Sequence, residues 1–266
     1  MKLKNWIQYS LFFSALLIGC NESDSVTEPE EEVNYSEEIS EFFPVNVGDS
    51  FLYNVDTLNH ATGNFTNIGS RLTNVYEVNK ILDNTIFLCN EDYSILGNNI
   101  LKNSRFEITA NSLDFFADTN GVSALIPDSI EFEIDLILDE SFKVVEFPLV
   151  KNEPWKVYNG AANFGTFKFD LFEIFGEYIA SESLQIDGFE NNLETEKFKY
   201  SINLNIPDMS NPFVSTLQIY DAYVWFDPGF GVVKIEGCKL FIDPITGNGF
   251  DILDSNKVVR HVLVPQ

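Results

Sequence analysis

Between positions 198 and 206, Phe198, Tyr200, Ile202, Leu204 and Ile206 alternate with Lys199, Ser201, Asn203 and Asn205. Successive side chains of an extended strand point to opposite faces, so a strict period of two marks a strand with one buried and one wet face. The pattern recurs along the chain. Residues 166–171 alternate through Phe167 and Phe169, and residues 131–138 through Phe132, Ile134, Leu136 and Leu138. Shorter candidates cover 51–55, 72–78, 86–88, 105–108, 144–147, 217–225, 232–235 and 258–264. Turn-forming runs punctuate them: Gly97-Asn98-Asn99, Asn120-Gly121, Asp187-Gly188, Asp227-Pro228-Gly229 and Thr246-Gly247-Asn248-Gly249. This arrangement predicts a single all-β domain built as an antiparallel meander. One segment conflicts, because Leu171, Ile174, Phe175, Tyr178 and Ile179 also fit a helical stripe. Gly176 and the β-branched and aromatic content around it favour two strands meeting near that glycine.

Composition narrows the function classes. With 25 Phe and 10 Tyr in 266 residues, the chain has far more apolar surface to bury than a disordered coil. Its 41 acidic against 16 basic side chains give a net charge of −25, which repels phosphate and argues against nucleic acid and other polyanions as partners. The long apolar run lies within the first twenty residues and is too short for a membrane-spanning helix, which needs about 20 apolar residues.

That run has the layout of a secretory signal. Lys2 and Lys4 give the positive start, residues 11–18 the apolar middle, and Gly19-Cys20 the small residue before a cut. Leu17-Ile18-Gly19-Cys20 resembles the lipobox of bacterial lipoproteins. The resemblance implies a signal peptide over 1–19, a diacylglyceryl thioether on Cys20, and acylation of the new amino terminus. Two or three acyl chains hold a protein stably on a bilayer. Asn21, where an Asp would direct inner-membrane retention in that family, points to the outer membrane. Residues 21–41 carry nine acids and neither Lys nor Arg, so residues 20–41 are predicted as a lipidated cysteine and a self-repelling, disordered acidic tether. The β domain is then expected over 42–266.

Three segments resemble a group of uncharacterised bacterial secreted proteins and lipoproteins. They are Phe42-Phe43-Pro44 followed by Gly48 and Phe51-Leu52-Tyr53, then Pro154-Trp155 after Phe147-Pro148-Leu149, then 225–234 with its Asp227-Pro228-Gly229-Phe230-Gly231 core. The resemblance implies a strongly curved antiparallel sheet, a half-barrel or incomplete barrel similar to that of periplasmic lipoprotein carriers. The Pro-Gly-x-Gly run also has a plain structural reading as a turn into the next strand, with Pro fixing φ and the glycines admitting positive φ.

Signatures of catalysis are sparse. His60 sits in a loop and His261 in the last strand, with no partners at metal-ligand or acid-base spacing. No catalytic residue, metal or cofactor is assigned. The run from Asp243 to Asp251 with Asp254 holds oxygen ligands and glycines but lacks the spacing of an EF-hand loop, and reads as a hairpin with a polar tip. With Cys20 lipidated, Cys89 and Cys238 form an even pair in an exported setting and are a candidate disulfide. That bridge would close a loop worth about 5 kcal/mol in the chain-entropy model, whereas two buried free thiols are the competing reading. Trp155 and Trp225 are candidate ligand-contact aromatics, against the simpler reading that such rings fill the core.

The sequence therefore leads to a lipid-anchored envelope protein without enzymatic activity. Its partners are the membrane, through the N-terminal lipid, and an apolar ligand or envelope protein on the concave sheet face. A surface module recognising glycan or protein is the alternative, and a carboxylate-pair hydrolase a third.

Overall fold

The structure, a computed structural model, describes residues 33–116, 122, 134–164, 167–208, 211–246, 249 and 256–265. In chain order the elements are helix α1 (Ser36–Phe42), strands β1 (Ser50–Asn59), β2 (Asn64–Ile81), β3 (Asn84–Ile95), β4 (Asn98–Ile108), β5 (Ser112–Phe116), β6 (Ile134–Leu138), β7 (Phe142–Glu146), β8 (Pro154–Phe164), β9 (Phe167–Leu184), β10 (Leu193–Asp208), β11 (Asn211–Asp227) and β12 (Gly231–Cys238), helix α2 (Lys239–Ile245) and strand β13 (Val258–Leu263). The thirteen strands form one antiparallel sheet in the order β6-β8-β9-β10-β11-β12-β13-β1-β2-β3-β4-β5-β7. The expected all-β class and strongly curved, unclosed sheet are what the chain adopts.

The curvature has a local cause. Register shifts interrupt the ladders at Val55/Asp56, Val75/Glu77, Lys197/Phe198 and Trp225/Phe226, among others. Each extra residue bends its strand and increases the local twist, which lets one sheet wrap around a single core. The two ends of the sheet meet through side chains. β6 pairs only with residues 160–164 of β8, and β7 lies against the first half of that strand. There Trp155 Nε1 donates to Lys143 O at 2.9 Å, and Tyr200 Oη donates to Val144 O at 2.6 Å. The Phe142 and Tyr158 rings stack across the same seam with centroids 4.0 Å apart.

Alternation places the core. Phe198, Tyr200, Ile202 and Leu204 of β10 are all buried, joined by Phe172 and Ile174 of β9 and Val224 and Phe226 of β11. Residues 171–179 are one continuous strand running straight through Gly176, not two strands meeting there. Gly176 instead lies under the indole of Trp155, where a Cβ would stand 2.4 Å from Cζ2. A close approach, and not a turn, requires the glycine.

Two helices were not expected. The compact unit begins at Val33, so residues 33–41, assigned above to the acidic tether, belong to the folded part. Tyr35, Ile39, Phe42 and Phe43 follow helical spacing inside the acidic run, and α1 buries Ile39 against the core. Asp243, expected in a polar hairpin tip, is inside α2. Pro244 and Ile245 follow it in the same helix and Thr246 caps it, while 247, 248 and 250–254 of that expected hairpin lie outside the described residues, as do residues 131–133 of the alternating run.

Candidate functional site

Three strands build a polar layer into the interior. Tyr53 of β1, Arg71 of β2 and Tyr93 of β3 stand directly opposite one another in register. One pleat further along, Thr73 faces Glu91, and Val75 faces Cys89. Arg71 is 5% exposed, and its guanidinium carbon lies 4.2 Å from the Tyr53 ring centroid. Its Nε is 3.9 Å from Glu91 Oε2. Glu91 accepts from Thr73 Oγ1 at 2.6 Å and from Ser104 Oγ at 3.0 Å, so both carboxylate oxygens are engaged. The flanking hydroxyls are also committed: Tyr53 Oη donates to Val232 O at 2.9 Å, and Tyr93 Oη donates to Thr246 O. Arg71 Nε has no hydrogen-bond partner.

Burial sets the protonation of this layer. It pushes the Tyr53 hydroxyl up to about 12, against the pull of the Arg71 charge, and raises Tyr93 for the same reason. Burial also pushes the Cys89 thiol up to about 12, reinforced by the nearby Glu91 carboxylate. The Arg71 charge is opposed by burial but held by Glu91 and the two tyrosines, and it titrates above its ordinary range. A buried ion pair with fixed hydroxyl donors is a site where charge is retained only because its partner is present.

A cavity of about 60 Å³ lies against this layer. Arg71, Thr73, Cys89 and Glu91 line its polar end, while Phe43, Phe51, Phe106, Phe115 and Phe230 supply apolar wall. Phe230 is 39% exposed, so the wall reaches the surface at the turn between β11 and β12. Asp227 Oδ1 accepts from Gly229 N at 2.7 Å in that turn, and Gly231 takes φ +70°, which is the structural role anticipated for the Pro-Gly-x-Gly run. A Cβ on Gly231 would sit 3.7 Å from Phe43 Cδ2 and 3.8 Å from Pro44 Cδ. Two of the three segments carrying the family resemblance thus converge at the cavity mouth.

The residues singled out in the sequence are placed as follows. Cys20 lies outside the described residues. Cys89 and Cys238 are separate buried thiols, on strands four positions apart in the sheet order, and burial pushes Cys238 to about 12 as well. Trp155, 8% exposed, packs edge-on against Phe198 and Tyr200 and is core. Trp225, 4% exposed, lies in a second cluster with Tyr53, Ile186 and Val233; its Nε1 donates to Glu182, and Lys234 Nζ sits 4.3 Å from its ring centroid. Neither indole presents an open face for a ligand. His60 is exposed in the turn after β1. His261 is 2% exposed with Nδ1 unpartnered, and burial followed by the Arg71 charge lowers it well below the usual histidine range.

Sequence reasoning missed the Arg71–Glu91 layer. A signal was present: Arg71 shares strand parity with Thr73 and Val75, and Glu91 with Cys89 and Tyr93. A charge on the apolar parity of a strand points into the core, where it is tolerated only when paired.

No protein-family model and no curated protein sequence matches the chain. Among solved structures it is similar to a Bacteroides fragilis protein named as exported with a YmcC-like fold, at 12% identity over 82% of this chain and 94% of that one, TM-score 0.45. It is also similar to a Parabacteroides distasonis protein named as a lipoprotein, at 14% identity over 84% and 96%, TM-score 0.48. The Escherichia coli hypothetical lipoprotein YmcC aligns at 9% identity over 83% and 89%, TM-score 0.30. At these scores the likenesses carry nothing about the role of this chain.

Proposed function

We propose that the chain is an envelope lipoprotein, anchored in the outer membrane through an acylated Cys20, whose β domain is a non-enzymatic binding module. The cleft behind Phe230 takes an apolar group from a ligand or a protein partner. The observation that carries this reading is a phenylalanine-walled cavity that reaches the surface at Phe230. Its volume, about 60 Å³, is well below the roughly 300–1,000 Å³ typical of pockets that enclose a small molecule. The cleft therefore accepts the tip of a molecule, such as the end of an acyl chain or one aromatic side chain, with the remainder outside. A whole lipid carried inside the sheet does not fit, because aromatic rings already fill the interior.

The alternatives find less support. A glycan platform needs an exposed aromatic face, and both candidate indoles are packed away. A carboxylate-pair hydrolase needs two converging acids, and among the described residues Glu91 is the single carboxylate in the cavity wall.

Two measurements test the proposal. Radiolabelled palmitate should enter the wild-type chain, and Cys20→Ala should release it from membranes; retention of the variant after a carbonate wash refutes the anchor. Phe230→Asp should abolish binding at the cleft without altering the circular dichroism of the β domain. Unchanged binding by that variant refutes the cleft.

A further inference from the structure

We propose that the tip of the β3–β4 hairpin, with Leu96, Ile100 and Leu101, is a bilayer-contact surface that sets its apolar side chains into the headgroup boundary of an anionic membrane. This goes beyond the binding reading above and does not depend on the cleft.

The turn itself raises the question. Leu96 and Gly97 alone connect β3 to β4, with Ile95 and Asn98 paired across them. Both take positive φ, +50° and +81°. A hairpin turn of that kind is built best by Asn-Gly, because a leucine in the left-handed region crowds its own Cβ against the backbone. Packing offers no return, since Leu96 is 76% exposed. The tip is nevertheless held in place, for Leu96 N donates to Ile68 O of β2 at 2.9 Å. A strained and exposed apolar residue serves neither folding nor solubility, which points to contact with something outside the chain. Leu101, 70% exposed, and Ile100, also exposed, continue the apolar surface along β4, opposite Asp92 and Tyr93.

Charge identifies the occupant. The chain carries −25, so an anionic bilayer repels most of its surface. Residues 57–71 and 93–106, which form the two hairpin ends on this side of the sheet, contain neither Asp nor Glu. Lys102 lies among them, and a lysine is attracted to anionic lipid. A second leucine gives the contrast. Leu82, with φ +56° and 98% exposed, caps the β2–β3 hairpin at the opposite end of β3. Asp83 follows it, Glu107 accepts from the neighbouring Asn84, and the acidic helix α1 starts at that end, where Tyr35 N donates to Ala110 O. Repulsion keeps that end off the bilayer. Reach sets no obstacle, because the stretch from Cys20 to Val33 spans up to about 45 Å when extended, against about 33 Å along β4.

The test uses the chain without its signal, with a hexahistidine tag in place of Cys20, held by nickel-chelating lipid on vesicles of phosphatidylethanolamine and phosphatidylglycerol. The artificial tether makes the result independent of acylation at Cys20. Leu96→Cys, Leu101→Cys and Leu82→Cys each carry an environment-sensitive nitrobenzoxadiazole label, while Cys89 and Cys238 are buried. Labels at 96 and 101 should shift their emission to the blue and be quenched at least about twofold by spin-labelled acyl chains, as expected for side chains roughly 5–10 Å into the interface. The label at 82 should do neither. Leu96→Asn is the second variant: it favours the turn, so the urea midpoint should hold or rise, while the shift at 101 should fall. Absence of quenching at both 96 and 101 overturns the bilayer contact. Equal quenching at 82 overturns the charge argument. A lowered urea midpoint for Leu96→Asn means that the leucine serves the fold and overturns the inference drawn from its strain.

Discussion

Replacing Arg71 by Met removes the positive member of a buried ion pair and leaves Glu91 charged beneath the cavity. Breaking such a pair costs about 3–5 kcal/mol, because the remaining ion keeps its desolvation penalty without its partner. Thr73 and Ser104 still donate to both Glu91 oxygens, at 2.6 and 3.0 Å, which places the loss near the low end, about 3 kcal/mol. Glu91→Gln strands the guanidinium in turn, softened by the Tyr53 ring 4.2 Å away, and should cost about the same. The double substitution strands nothing. Met and Gln keep similar volumes, so its stability should fall within about 1 kcal/mol of wild type. The two single losses are then strongly non-additive, with a coupling of several kcal/mol. Urea denaturation of the four unlipidated chains, followed by tryptophan fluorescence and compared at constant m, measures that coupling. Additive single effects, within about 0.5 kcal/mol, would refute the buried pair and mean that water screens both charges.

Three other outcomes follow from the same packing. His261 is held neutral in the fold, its titration lowered below that of the unfolded chain, so the unfolded state binds the extra proton as pH falls. Its contribution to stability is complete above about pH 6.5 and is lost below it, by up to about 1.4 kcal/mol per pH unit; His261→Phe should flatten that part of the urea-midpoint profile relative to wild type, and parallel profiles contradict the assignment. Cys89 and Cys238, both pushed to about 12, should react with maleimide at least about a thousandfold more slowly in the native chain than after denaturation, and the denatured, unreduced protein should yield two thiols; finding none there establishes a disulfide instead. Gly176→Ala should cost about 1–3 kcal/mol by driving a methyl group into the Trp155 indole, with part of the loss recovered by Trp155→Phe; an unchanged urea midpoint means the ring is free to move.

The period of two, legible at Phe198–Ile206 and in many shorter runs, determined the fold class, because strand parity is a local property that burial on one face writes directly into the residues. The Pro-Gly-x-Gly turn was legible for the same reason, its φ demands being met by the residues themselves. Helix α1 was hidden because nine acids over 21–41 outweighed a four-residue apolar stripe at Tyr35, Ile39, Phe42 and Phe43, and charge counts ignore which face a residue occupies. Gly176 looked like a break between strands, since a sequence does not show that an indole from the neighbouring strand would lie across it. Trp155 and Trp225 could equally have been exposed or packed, and only the wrapping of the sheet placed both inside clusters. The layer of Tyr53, Arg71 and Tyr93 depends on the register of two consecutive hairpins, β1–β2 and β2–β3, which strand pairing fixes and the alternation within any one strand does not record. The residues alone chose strands and the side of each strand that turns inward; tertiary pairing chose which inward residues meet, and therefore that Arg71 and Glu91 are buried together against a phenylalanine-walled cleft.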